Sequence, residues 1–354
     1  MDTEQTKEPE KQSLWASRRK TAQPRAVNVL EESLIYTEYL SADSALPLVV
    51  KPAVDGVSLI DWAARHRDFI ETSCRRNGAI LLRNFHVNSA EEFERLIRAI
   101  SGGVMKYKER SSPRSSVIGN VYTSTDYPAE QDIFPHNEHS YAKILPMKLY
   151  FGCLIPAQQG GQTPIADTRE IFRSISPEIR ERFLEKKWMY VRNFGDGFGL
   201  PWQTVFQTTE KDEVERYCRK AGIDFEWKGG DRLRTSQIRP AIAEHPRTGE
   251  KVWFNHATFF HISTLSSPTR DALLAAFKVE DLPNNTYYGD GSEIEASVLD
   301  ELRAAYLENI KIFEWERGDI IILDNMLTAH GRRSFTGERK IIFGMAEPYD
   351  RTDI

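Results

Sequence analysis

Short apolar runs limit what this chain can fold into more than any other feature of its sequence. The clearest cover residues 79–82, 148–154, 320–323 and 341–343, and turn-forming or polar residues flank them. Apolar runs of four to eight residues between such signals are typical of strands in a protein interior. Segments with helical periodicity separate these runs along the whole length. The sequence therefore predicts one mainly β domain with flanking helices.

The predicted helices carry recognisable start and stop signals. They cover residues 59–77, 89–100, 176–187, 211–221, 267–278 and 292–309. Further strands are predicted at residues 121–124 and 251–254, with a hairpin at 225–239, while the polar stretch 107–132 is predicted to contain a mobile loop. Residues 1–29 hold few large apolar side chains, so we expect a disordered leader followed by a single domain at 30–354.

Composition excludes several classes of protein. The formal net charge is -5 with both signs interspersed, which argues against nucleic-acid binding. No apolar run approaches the roughly 20 residues that cross a bilayer, and no signal peptide pattern begins the chain. Cys74, Cys153 and Cys218 are odd in number and widely spaced, as expected for reduced thiols of a cytoplasmic protein without a membrane segment.

A His-x-Glu motif follows Pro135 and suggests a metal site. Pro135 disfavours a helical conformation before it, so we predict that the chain is extended from His136 onward. In an extended chain the side chains of His136 and Glu138 point to the same face. His330 is the best third ligand, because it leaves a buried strand and enters a glycine-bearing turn. The competing histidines have weaker positions and are His66, His86, His245, His256 and His261.

Two histidines and one carboxylate leave coordination positions of an iron open, as non-haem Fe(II) oxygenases require. A 2-oxo acid bound to such an iron needs its far carboxylate held, and a guanidinium does this through two parallel hydrogen bonds. Arg339 is placed for that role after His330. The hydroxyl of Thr163, in the segment Gly-Gly-Gln-Thr, is the candidate second anchor.

Together these motifs resemble the TauD/TfdA superfamily of Fe(II)/2-oxoglutarate-dependent dioxygenases. The resemblance rests on His136-x-Glu138, the Gly-Gly-x-Thr163 segment, and His330-Gly-Arg332 followed by Arg339. It is strongest to the subgroup typified by the syringomycin-cluster aspartyl hydroxylase. It extends over residues 56–347.

The resemblance implies a double-stranded β-helix, or jelly roll, of the cupin type. It also implies Fe(II), 2-oxoglutarate and O2 as cofactor and cosubstrates, with iron bound by His136, Glu138 and His330 and no further catalytic residue. Thr163 and Arg339 would hold the distal carboxylate of 2-oxoglutarate. In such enzymes the cosubstrate is oxidised to succinate and CO2 while a C–H bond is hydroxylated. Relatives that halogenate lack the carboxylate ligand, so Glu138 favours oxygenation or desaturation.

Several family members carry a second arginine four residues after the cosubstrate arginine, and here that residue is Phe343. The resemblance thus implies no anion-binding arginine at that position. Lys340 is the alternative to Arg339 as cosubstrate anchor, although only arginine offers the bidentate fork. The candidate substrate-contacting residues are Tyr122, Ser124, Asn255 and Arg332.

The leading hypothesis is a hydroxylase of an amino acid or an amino-acid-derived small molecule, free or tethered to a carrier protein, in natural product biosynthesis. A homo-oligomer is compatible with the sequence. Desaturation or another oxidative rearrangement by the same class of enzyme is the first alternative. The others are a jelly-roll metalloenzyme that uses Zn or Mn without oxidation, and a catalytically silent binding protein.

Overall fold

The computed structural model describes residues 34–351 except residues 43, 107, 108, 110, 113, 196 and 198. The predicted disordered leader at residues 1–29 lies outside these residues. The strands are β1 (Ile35–Ser41), β2 (Ser44–Pro52), β3 (Ala79–Leu82), β4 (Ser116–Ile118), β5 (Val121–Thr123), β6 (Ile133–His136), β7 (Ile144–Ile155), β8 (Gln159–Gly160), β9 (Ile165–Asp167), β10 (Trp188–Phe194), β11 (Asp224–Lys228), β12 (Arg232–Arg239), β13 (Ile242–Glu244), β14 (Lys251–Trp253), β15 (Asn284–Tyr288), β16 (Ile310–Lys311), β17 (Ile320–Asp324), β18 (Thr328–Arg332), β19 (Phe335–Thr336) and β20 (Lys340–Asp350). The helices are α1 (Leu59–Arg65), α2 (Arg67–Asn77), α3 (Ala90–Ser101), α4 (Thr168–Ser174), α5 (Pro177–Lys186), α6 (Trp202–Phe206), α7 (Lys211–Ala221), α8 (Ser267–Ala276) and α9 (Ala296–Glu308).

An eight-stranded sheet forms the larger wall of the molecule. Its strand order is β1-β2-β3-β17-β7-β20-β5-β4. The pair β2 and β3 is parallel, and the other pairs of this sheet are antiparallel. The central strands are the apolar runs that the sequence analysis identified, so the prediction of interior strands is confirmed.

Both faces of this sheet are covered. Along β17, Ile320 and Ile322 pack with apolar residues of helices α1, α2 and α3. Ile321 and Leu323 point to the opposite face, where they join a second cluster. Because alternate side chains of a strand point to opposite faces, a strand covered on both sides must be apolar throughout.

A smaller sheet faces the larger one and completes the jelly roll. Its strand order is β16-β9-β18-β6, and all of its pairs are antiparallel. Ile165 of β9 packs in the same cluster as Phe151 of β7 and Phe343 of β20, so this core joins the two sheets. The predicted mainly β architecture with flanking helices is therefore confirmed.

A third sheet, of order β11-β12-β10-β15, lies beyond the smaller one. The predicted hairpin at 225–239 forms its β11–β12 pair. Trp188 of β10 packs with residues of helices α4, α5 and α9. Helices α6 and α7 pack around Trp202 and Val214 in a further cluster, which includes Phe194 of β10 and Leu233 of β12 from this sheet. None of the helices in the described part of the chain is long and apolar enough to cross a membrane.

Two local predictions were wrong. The helix predicted at 59–77 is two helices, because His66 leaves helical geometry at φ -114° and ψ 34°. The Nδ1 of His66 instead bonds the carbonyl of Trp62, and the His66 ring stacks on the indole ring of Trp62. The extended segment predicted from His136 onward ends at His136 itself. Glu138 lies in a turn, and the next residue has a positive φ of 57°.

Candidate metal centre

Two strands of the smaller sheet bring the predicted histidine ligands together. His136 is the last residue of β6, and His330 is the middle residue of β18. The two residues are direct cross-strand partners, and their ring centroids are 4.7 Å apart. Side chains of directly opposed residues on one face of a sheet are close neighbours. The sheet register therefore places both imidazoles on one side of the strand pair.

Glu138 reaches the same place through a turn that a distant asparagine holds. The side chain of Asn325 accepts a hydrogen bond from the Glu138 backbone N–H at 2.9 Å. Its amide also donates to the carbonyls of Glu138 and Pro146, each at 2.8 Å. Asn137 donates to the Asn325 carbonyl. These bonds replace the ladder that the strand loses after His136, so they fix the direction of the carboxylate.

The three side chains form a group that fits one metal ion. One ligand atom each from His136, Glu138 and His330 lies within 4.8 Å of the other two. Among the described residues no hydrogen bond joins these three side chains to each other. The Nδ1 of His136 bonds the carbonyl of Phe134 at 2.9 Å, which leaves Nε2 for a metal. Two buried imidazoles and a carboxylate that meet without bonding one another are a donor set suited to Fe(II).

The protonation states in this group are also those that a metal needs. Burial lowers the pKa of His136 and, more strongly, the pKa of His330. Burial alone would raise the pKa of Glu138, but the charge and hydrogen bond of Arg114 together with the neighbouring His139 and His136 outweigh burial, and the pKa falls below its usual value. Neutral imidazoles and an ionised carboxylate are the forms that coordinate metals, because a proton on a ligand atom competes with the ion.

Arg339 lines the same cavity and immediately precedes β20. Its Nε donates to the Gly161 carbonyl at 3.0 Å, and one terminal nitrogen donates to the hydroxyl of Ser124 at 3.3 Å. Gly161 has a φ of +74°, and a Cβ there would lie 3.0 Å from Arg339 Nε. Only glycine allows this close approach. Thr163 also lines the cavity, and its hydroxyl oxygen accepts a hydrogen bond from Trp315.

The environment of Arg339 fits a bound carboxylate. In the part of the chain that the structure describes, no carboxylate pairs with this guanidinium. Burial, with a smaller effect of the Arg332 charge, lowers the pKa of Arg339 to about 10. A buried cation requires an anionic partner, which the distal carboxylate of 2-oxoglutarate would supply. Lys340, the alternative anchor, is exposed and does not line the cavity.

The cavity that contains both groups has a volume of about 840 Å³. Aromatic rings cover the histidines: Phe259 stacks on His136 at 4.4 Å, and Phe151 lies 5.0 Å from His330. A more distant part of the wall is largely apolar and includes Leu200, Leu265, Leu307 and Ile310. The space is ample for the cosubstrate together with a second small molecule.

The four candidate substrate residues occupy different kinds of position. Ser124 lines the cavity beside Arg339. Arg332 lines it too, but its guanidinium donates to the carbonyls of Tyr127, Pro128 and Gln131 and so secures that loop. Tyr122 packs in the core between the sheets.

Asn255 is also outside the cavity wall formed by the described residues. Its amide donates to the carbonyl of Ala241, and its side-chain oxygen accepts from the N–H of Ala257. Both bonds hold the chain after β14. A substrate contact was predicted for Asn255, and the structure shows its side chain bonded to these two backbone groups.

One of the competing histidines lies close to the metal ligands. The ring of His256 is 5.7 Å from that of His136, and its Nδ1 bonds the hydroxyl of Ser140 in the turn that follows Glu138. His256 is not part of the ligand group. The structure therefore places it as a support for the ligand turn.

Sequence reasoning missed Arg114 altogether. Its terminal nitrogen donates to the Glu138 carboxylate at 2.6 Å, and its guanidinium carbon lies 3.9 Å from the ring centroid of Phe343. Arg114 is buried and lines the cavity. It belongs to the polar stretch that was predicted to be a loop, where nothing in the local sequence distinguishes it from the neighbouring basic residues.

Comparison with known proteins identifies the family. Residues 42–346 match the family described as taurine catabolism dioxygenase TauD, TfdA family. The dapdiamide synthesis protein DdaC of Enterobacter agglomerans is 39% identical over 300 residues, which are 85% of this chain and 91% of DdaC. A clavaminate synthase-like protein of Arabidopsis thaliana is 28% identical over 297 residues, covering 79% of this chain and 85% of the relative.

A solved structure shares the fold. The crystal structure of AAD-2 in complex with Mn(II) and N-oxalylglycine superposes with a TM-score of 0.52 at 13% sequence identity. The match covers 90% of this chain and 99% of that one. The family match covers the smaller sheet, the larger sheet except β1 and the last residues of β20, the three candidate metal ligands and Arg339. The chain therefore belongs to the TauD/TfdA family and is an Fe(II)- and 2-oxoglutarate-dependent dioxygenase.

Proposed function

We propose that this dioxygenase hydroxylates an unactivated C–H bond of an amino acid or an amino-acid-derived compound during the synthesis of a specialised metabolite. The observation that carries the proposal is the convergence of His136, Glu138 and His330 in the wall of a cavity that Arg339 also lines. The likeness to DdaC, which its name assigns to dapdiamide synthesis, supports a biosynthetic role.

Different residues of the cavity would bind the metal, orient the cosubstrate and exclude water. Bound iron, with 2-oxoglutarate and O2, supplies the oxidising power for attack on a C–H bond. His136 keeps its Nδ1 proton on the Phe134 carbonyl, so its Nε2 stays available to the metal. Arg339 and Thr163 orient the cosubstrate by its distal carboxylate. Phe259 and Phe151 exclude water from the histidines, which strengthens electrostatic interactions inside the cavity.

The cavity also bears on the form of the substrate. A volume of about 840 Å³ is more than a ketoacid needs, and the apolar wall continues from Phe259 past Leu265 to Leu307. This space suits a free amino acid, and equally one that a carrier protein presents on a flexible arm. We place the enzyme in the cytoplasm, because its three cysteines are buried and free of disulfides.

The test is a screen of turnover. Candidate amino acids and their carrier-bound thioesters are incubated with Fe(II), 2-oxoglutarate and O2, and products are measured by mass spectrometry. We expect a product that is 16 mass units heavier than its substrate, as the insertion of a single oxygen atom requires, and an equal amount of succinate. A loss of two mass units would indicate desaturation instead.

Two controls decide whether the assigned site performs the reaction. His136→Ala is expected to abolish turnover, and activity retained in this variant would remove the site assignment. Turnover that continues without O2 would overturn the proposal in favour of a non-oxidative jelly-roll metalloenzyme.

A further inference from the structure

We propose that Arg114 binds a carboxylate of the substrate beside the metal, and that the substrate is therefore an amino acid or derivative with a free carboxylate. This inference rests on the proposed function and narrows its substrate class. It concerns a side chain that reaches the metal group from a segment outside both sheets of the jelly roll.

The position of Arg114 is fixed by contacts with Glu138, Ser112 and Phe343. Its guanidinium donates to Oε2 of Glu138 at 2.6 Å and to the hydroxyl of Ser112 at 3.5 Å, and its guanidinium carbon lies 3.9 Å from the ring centroid of Phe343. Arg114 lines the same cavity as His136 and His330, and only 8% of its surface is exposed. A guanidinium carries five N–H donors in a rigid fork, which lets it bind a carboxylate through two parallel hydrogen bonds.

The charges of the loaded cavity favour an anionic substrate. A divalent metal is balanced by the two carboxylates of 2-oxoglutarate, and Glu138 balances one of the guanidiniums of Arg114 and Arg339. One positive charge then remains in a region shielded from water. Among the described residues, the other charged side chains of the wall are two acids and two arginines whose charges cancel: Glu130, Asp132, Arg332 and Arg333. A single substrate carboxylate would neutralise the excess.

Metal binding should release Arg114 for this role. The Arg114 guanidinium is paired with the Glu138 carboxylate. A divalent ion takes over much of that negative charge, which weakens the hold of Glu138 on the guanidinium. The substrate carboxylate can then accept hydrogen bonds from the Arg114 guanidinium, while contact with the Phe343 ring holds the guanidinium in place.

The arrangement also constrains how a substrate lies. With its carboxylate at Arg114, the rest of the molecule extends along the apolar wall formed by Phe259, Leu265 and Leu307. A carrier-bound amino acid has its α-carboxyl group in a thioester, which is neutral. For such a substrate, the carboxylate that Arg114 binds must belong to an acidic side chain.

Calorimetry on the full-length protein loaded with Mn(II) tests the inference without turnover. N-oxalylglycine is titrated first as the 2-oxoglutarate analogue, and acetate or its neutral counterpart acetamide is titrated into the saturated complex. We expect wild-type protein to bind acetate and not acetamide. Arg114→Gln should weaken acetate binding about 10-fold or more, since it removes a charge-assisted hydrogen bond. The acetate affinity of Arg114→Lys should lie between those of the wild type and Arg114→Gln, because lysine keeps the charge without the bidentate guanidinium.

The matched control is Arg95→Gln, which makes the same charge change at an exposed position of α3 outside the cavity. It should bind acetate as the wild type does. Affinity for N-oxalylglycine should stay within about 2-fold of wild type in Arg114→Gln, because Arg339 and the metal hold that ligand.

Four results would overturn the inference. Acetate binding could be absent from the wild type, or equal in Arg114→Gln. N-oxalylglycine could lose as much affinity as acetate, which would assign Arg114 to the cosubstrate. Arg114→Gln could also lose Mn(II), which would limit Arg114 to positioning Glu138. Because none of these readouts needs turnover, failure here is distinct from failure of the hydroxylation assay.

Discussion

Replacing Asn325 by alanine should weaken both the fold and metal binding. The side chain is fully buried and makes three hydrogen bonds, two of them to the backbone of Glu138 and one to Pro146. Losing them leaves one buried N–H and two buried carbonyls without these partners, at about 1–1.5 kcal/mol each. We therefore expect a loss of about 3–5 kcal/mol in the free energy of unfolding.

Asn325→Ala should also lower the affinity for metal, because the turn that directs the Glu138 carboxylate is no longer fixed. Loss of such supporting contacts typically lowers metal affinity about 10- to 100-fold. Urea unfolding measures the first effect, and Mn(II) calorimetry measures the second. Asn325→Ser introduces no charge and keeps a hydroxyl that can bond one of these backbone groups, so it provides a milder variant if the alanine form does not fold.

Asn193→Ala is the matched control. Asn193 donates to the carbonyls of Glu280 and Leu282 at 3.0 and 2.7 Å and does not line the cavity. It should lose about 2 kcal/mol of stability and keep wild-type Mn(II) affinity. Wild-type Mn(II) affinity in Asn325→Ala would refute the reasoning, since the ligand turn would then need no support from Asn325.

Three further predictions concern the cosubstrate and the pH dependence of stability. Arg339→Gln should weaken N-oxalylglycine binding to the Mn(II)-loaded protein about 10-fold or more by calorimetry, and Lys340→Gln should not. Gly161→Ala should weaken it too, because the added Cβ would lie 3.0 Å from Arg339 Nε; unchanged affinity would contradict this geometry. Burial alone would raise the pKa of Glu347, but the hydrogen bond and charge of Lys148, together with hydrogen bonds from Ser101 and Arg247, outweigh burial and lower the pKa below the usual 4.5. The ionised carboxylate stabilises the fold above about pH 4.5, and this stabilisation is lost as the pH falls through the lower pKa of Glu347 in the folded state. The free energy of unfolding of Glu347→Gln, measured with urea, should therefore decrease less at acidic pH than that of the wild type.

The fold was predictable where local pattern and tertiary environment agree. The run 320–323 is apolar throughout because helices cover one face and the smaller sheet the other. The hairpin at 225–239 carries its own turn signal, so it too was predicted correctly. The break at His66 was not predictable, since it depends on a ring packed on Trp62 and not on a helix-breaking residue.

The candidate site divides in the same way. The sequence suggested His136 and His330 as a pair, and the sheet register brings them together. It misjudged the backbone at Glu138, because the bonds that form the turn come from Asn325, 187 residues away. Arg114 could not be found from sequence, since only the folded chain brings it to the Glu138 carboxylate.

Anomalous diffraction from crystals grown with Mn(II) and N-oxalylglycine tests the central claim most directly. We predict one anomalous peak per chain, within bonding distance of His136, Glu138 and His330, with the analogue extending from it toward Arg339. A peak at another location, or no peak at saturating Mn(II), would contradict the assignment of these three residues as the metal centre.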